Sequence, residues 1–91
     1  MDDDKPREMV CVFEAVNETL REFYLGTTTL TAVQFVDWFT RHTPPAISHW
    51  KQGEKISSRI VESGMGPEEA RKFLEHYAMA ASRIGWKVYV E

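Results

Sequence analysis

The chain has 91 residues, 43% of them hydrophobic and 27% charged, and a net charge of −3; this fits one globular domain with one core and excludes wholesale disorder. Its longest unbroken apolar run, Met9–Phe13, is far too short to span a membrane, and the opening Met1-Asp2-Asp3-Asp4-Lys5 has neither the basic nor the apolar region of a secretory signal. The single cysteine, Cys11, cannot form an internal disulfide, so a reducing cytoplasmic location is expected and a disulfide-stapled scaffold is excluded.

The charges are unevenly placed. Residues 1–30 carry three basic and seven acidic side chains, whereas residues 41–61 carry four basic (Arg41, Lys51, Lys55, Arg59) and one acidic, with His42 and His49 beside them. A basic middle in an acidic chain suits a polyanionic partner, or equally a solvated face.

Residues 1–5 are expected to be a disordered acidic tail and 6–91 a single helical domain. Pro6 is suited to the first position of a helix. Met9, Val12/Phe13, Val16, Leu20 and Phe23/Tyr24 recur every three or four residues, which predicts an amphipathic helix ending near Gly26. Cys11 falls on its apolar side as an inert thiol, and Glu14, Glu18 and Glu22 fall on its solvent side. Thr31 and Gln34 have capping-box spacing, so a second helix starts at Ala32. Its Val33, Phe35, Val36, Trp38 and Phe39 are too many for one stripe and predict a largely buried helix. Arg41-His42-Thr43 reads as a turn.

A third helix is expected over 44–52, with its prolines in the first turn and Ile47 and Trp50 buried. A fourth is expected over 54–63 and a fifth from Pro67 to a stop at Gly85, with Glu68 and Glu69 at its positive end. Trp86–Val90 alternates and reads as an edge strand or a packed tail. The fold class is thus mostly α: four to five short helices around one core, with a helix-turn-helix-like centre and a short C-terminal extended segment.

Within that centre, Ile47-Ser48-His49-Trp50-Lys51-Gln52-Gly53 resembles the second helix of the Cro/phage-repressor helix-turn-helix family, over about residues 31–55. Asp37 and Arg41 stand where that family usually has a small residue and a glycine. The resemblance implies a small regulator of phage or plasmid origin that binds double-stranded DNA as a homodimer. Thr43, Pro45, Ser48, His49 and Gln52 would face base edges, and Arg41, Lys51, Lys55 and Arg59 would contact phosphates. A second segment, Phe73-Leu74-Glu75-His76-Tyr77 followed by Gly85-Trp86-Lys87-Val88, is similar to one found in some phage replication proteins.

No enzymatic constellation is present. Ser48 and His49 are helical neighbours and point about 100° apart, which rules out a dyad. Cys11, His42, His49 and His76 lack metal-ligand spacing, and Gly64-Met65-Gly66 is too short for a phosphate loop. No cofactor or metal is expected. The alternative to a DNA reader is a non-enzymatic inhibitor or adaptor that presents Glu14, Glu18 and Glu22 to a basic protein surface.

Overall fold

The computed structural model describes residues 9–91; the expected acidic tail over 1–5 and the helix start at Pro6 lie outside them. The elements run β1 (Val10–Asn17), β2 (Glu22–Thr28), α1 (Ala32–Arg41), a 3-10 turn (Pro45–Ile47), β3 (Ile56–Met65), α2 (Pro67–Arg83) and β4 (Lys87–Val90). The strands form one sheet in the order β3-β1-β2-β4. β1 is antiparallel to β2 and β3, and β4 runs parallel to β2.

This mixed α/β architecture overturns the mostly-α reading. Where a first helix was expected, residues 10–28 form a β-hairpin turned by Glu18–Arg21. Where a fourth helix was expected, residues 56–65 form an edge strand, and the third shrinks to the single 3-10 turn. The reason is that both faces of the sheet are covered, so β1 and β2 are apolar on both sides and lose the alternation that marks a half-exposed strand. Val10, Val12 and Leu25 pack with Ala70 and Leu74 of α2 on one face. Phe13, Ala15 and Tyr24 pack with Phe35, Ile47 and Trp50 on the other. The result is three layers: α2, the sheet, then α1 with the 44–50 segment.

Three expectations hold. The Thr31/Gln34 capping box starts α1 at Ala32. α2 opens with Pro67 and is followed by Gly85 at φ 88°, a left-handed conformation that glycine adopts at little cost. Trp86–Val90 does supply a strand, β4. Arg41 closes α1 instead of forming a turn, paired to Asp37 one turn back at 3.3 Å. The left-handed non-glycine among the described residues is Arg21, at φ 60°, in the hairpin turn.

Gly26 has a different role from the helix stop expected of it. It sits in β2 opposite Phe13, and a Cβ there would come within 2.7 Å of the Phe13 ring and 2.6 Å of the Glu91 carboxylate. The absence of a side chain lets that ring lie across the strand.

Candidate interaction surface

The segment from His42 to Lys55 is held in an irregular course by the β1–β2 hairpin. Asn17, fully buried, accepts from Leu20 N with its Oδ1 at 3.0 Å and donates from Nδ2 to Glu54 at 2.8 Å. Glu54 also accepts from Lys51 N at 2.7 Å. The Lys51 amide, followed by the Asn17 amide, holds the Glu54 carboxyl below the usual carboxylate range, slightly opposed by desolvation. Glu18 N donates to Lys55 O at 2.9 Å, and Lys55 N donates to Thr19 Oγ1 at 2.9 Å. The Lys51 amide thereby goes to a side chain and not to a helical carbonyl, and the 3-10 turn ends at Ile47.

The acidic residues of the hairpin meet the basic residues of the middle segment inside this one chain. Glu22 accepts from Trp50 Nε1 at 2.8 Å and lies 2.6 Å from His49 Nε2. Desolvation works against the Glu22 charge. Hydrogen bonds from Trp50 and His49, and the His49 and Lys87 charges, outweigh it and hold the carboxyl below its ordinary range. Glu18 pairs with Lys55 at 3.5 Å. Glu14, buried on the α2 side of the sheet, pairs with Arg59 at 2.7 Å and accepts the Tyr77 hydroxyl. Burial, then the Glu14 bond, pushes the Tyr77 hydroxyl above its usual range, against a smaller opposite effect of Arg59.

The residues expected to read DNA are therefore dispersed. His49, Lys55, Arg59 and Arg41 each have a carboxylate partner, and Arg59 reaches Glu14 toward the opposite face of the sheet from the 3-10 turn. Ser48 caps the 3-10 turn through its backbone N–H, and Pro45 is its first residue. Thr43, Lys51 and Gln52 do come together, around a groove of about 520 Å³ floored by Phe39, Ile47, Trp50 and Ile56. Lys51 has no carboxylate partner among the described residues. Glu14, Glu18 and Glu22, the alternative docking residues, are all engaged internally, and Cys11 is half-buried in β1.

α1 is not the buried helix that its composition predicts. Only Phe35 is fully buried; Val33 is 80% exposed and Val36 43%. Val33, Val36, Asp37 and Thr40 form one open stripe with Ala32. Thr40 also lines the groove of Phe39, Trp50 and Ile56, so stripe and groove adjoin at that residue. The signal was in the sequence: five apolar residues in a helix whose start is fixed by Thr31 and Gln34 cannot share one face.

Among the described residues no group of three His, Cys, Asp or Glu side chains is placed to hold a metal ion, and no helix is long and apolar enough to cross a membrane. Compared with family models, curated proteins and solved structures, the chain matches none.

Proposed function

We propose that the protein is a non-enzymatic binding module that captures a protein partner along α1 and the adjoining groove. The observation that carries this reading is the open stripe of α1 with exposed Val33 and Val36, which adjoins at Thr40 the groove floored by Phe39, Trp50 and Ile56; Asp37 on the stripe is paired with Arg41. Exposed contiguous apolar surface on a small domain marks an interaction site. A partner segment with apolar residues at helical spacing fits the stripe, with an apolar anchor over Phe39 and Trp50 and hydrogen bonds to Thr43 and Gln52 at the rim. The test is retention of proteins by the immobilised wild type and by Val33→Glu/Val36→Glu. A species held by the first and lost by the second supports the reading; identical profiles contradict it.

A DNA-binding regulator is the second reading. It is favoured by Thr43, Lys51 and Gln52 sharing one exposed rim. Paired cations weigh against it, since affinity for duplex DNA grows with the number of phosphates neutralised. Anisotropy with mixed duplex fragments at about 50 and 200 mM salt separates the two, because phosphate-driven binding falls steeply over that range.

A further inference from the structure

β4 is an open edge of the sheet, paired to β2 on one side only. Lys87 N donates to Arg21 O at 3.1 Å and Glu91 N to Leu25 O at 2.8 Å. In a parallel pair the amide and carbonyl of one residue point the same way, and consecutive residues alternate. The backbone groups of Val88 and Val90 therefore face outward from the sheet. Beside them, between β4 and α2, lies an apolar groove of about 630 Å³ lined by Leu74, Ala78, Met79 and Val90. Met79 and Val90 are each about half exposed.

We infer that this edge pairs with β4 of a second copy, antiparallel and two-fold symmetric about Tyr89. The occupant is argued from the charges on the strand. Lys87 and Glu91 lie on one face, on either side of Tyr89 and two residues from it, with opposite signs. An antiparallel register that opposes Tyr89 to Tyr89 of the second copy sets Lys87 against Glu91 in both directions. The same register opposes Val88 to Val90, the residues whose backbone groups are free, and forms four N–H···O=C bonds. Registers shifted by one residue on each strand set Lys87 or Glu91 against Tyr89 and lose both ion pairs. Lys87 already leans toward this axis, its Nζ 5.4 Å from the Tyr89 ring centroid. The Glu91 side chain lies over Gly26 of β2, its carboxylate held there by only a long contact, 3.4 Å, from Thr27 N, and the pairing requires it to swing outward to Lys87 of the second copy.

On the α2 face the two grooves meet across the axis, and Met79 and Val90 of each copy are covered. An isologous pairing of this kind closes as a dimer and leaves no edge to propagate at β4. The opposite edge, β3, is unsuited to it. It carries Ser57, Ser58, Arg59, Glu62 and Ser63, and its register against β1 is broken near Val10–Phe13, features that protect an edge from pairing. The α1 stripe plays no part in this seam, so the pairing stands apart from the proposed binding function.

The test is sedimentation velocity of the full chain from about 1 μM to about 1 mM, a range that brackets weak to moderate dimers. The wild type is expected to shift from monomer to dimer. Lys87→Glu and Glu91→Lys each set like charges opposite one another and weaken dimerisation by roughly tenfold or more; the double reversal restores it. Met79→Glu, at the groove mouth, dissociates the dimer without touching the strand, and carries the test if a β4 variant loses its wild-type circular dichroism. A wild type that stays monomeric to the top of the range overturns the inference. So do single reversals that dimerise normally, a double reversal that fails to recover while folded, or assemblies that keep growing with concentration.

Discussion

His49 Nε2 and Glu22 Oε1 lie 2.6 Å apart across 27 residues of sequence. Glu22 carries a depressed pKa and accepts, so the imidazole donates from Nε2. This contact fastens the segment after the 3-10 turn to the start of β2, and the Trp50 indole shares the same carboxylate oxygen. One acidic residue thus fixes two residues that a DNA-reading helix would have used differently, one toward the groove and one toward the core.

Acid should loosen this attachment. A carboxyl depressed in the folded state contributes stability that is present above its unfolded pKa of about 4.5 and is lost as pH falls through the lower folded value. Glu22→Gln should cost about 1.5–3 kcal/mol at neutral pH, the scale of a hydrogen bond to a charged group. It should also flatten the fall in urea midpoint between about pH 5 and 3. Parallel acid limbs in the two proteins would contradict the assignment.

The Tyr77 hydroxyl works in the other direction. Its pKa is raised in the folded state, so its contribution is complete below the ordinary tyrosine value of about 10 and is lost as pH climbs through the higher folded value. Tyr24, raised by burial and by Glu91, adds to the same alkaline limb. Tyr77→Phe should lose about 1 kcal/mol at neutral pH, and its stability should decline less than the wild type's above pH 10. Glu14→Ala, which leaves the half-buried Tyr77 hydroxyl without its acceptor and breaks the pair with the exposed Arg59, should cost more, about 2–3 kcal/mol. Chemical denaturation at pH 7 and pH 11 checks both.

Gly26→Ala should destabilise the fold by about 1–3 kcal/mol, because the added methyl must displace the buried Phe13 ring or the Glu91 side chain. Thermal melting followed by circular dichroism measures it. By contrast, Lys55→Ala breaks a solvent-exposed pair with Glu18 and should change stability by less than about 1 kcal/mol.

How far the fold could be read from sequence depended on whether local chemistry or tertiary cover decided each element. α1 and α2 were legible because their ends are set by short-range groups: Thr31 with Gln34, Pro67, and Gly85. β4 was legible from the alternation around Lys87–Val90. β1 and β2 were not, because Val12 and Phe13 face different cores, and an apolar run buried on both sides fits a helical stripe as well as a strand. The 44–52 segment was not, because Glu22, Thr19 and Asn17 hold His49, Lys55 and Glu54, in and just after it, across 27 to 37 residues of sequence. The charge asymmetry was legible, but not its intramolecular pairing: Glu14, Glu18 and Glu22 meet Arg59, Lys55 and His49 inside this one chain.

A photo-crosslinking amino acid placed at Val33 tests the central claim most directly. Val33 is 80% exposed, so the substitution should leave stability within about 0.5 kcal/mol of wild type. Irradiated in a lysate of the source cells, this protein should yield one discrete protein adduct, and the same probe at Lys72, on the exposed side of α2, should not. No adduct from Val33, the same adducts from both positions, or an adduct that nuclease digestion removes would contradict a protein-binding surface on α1.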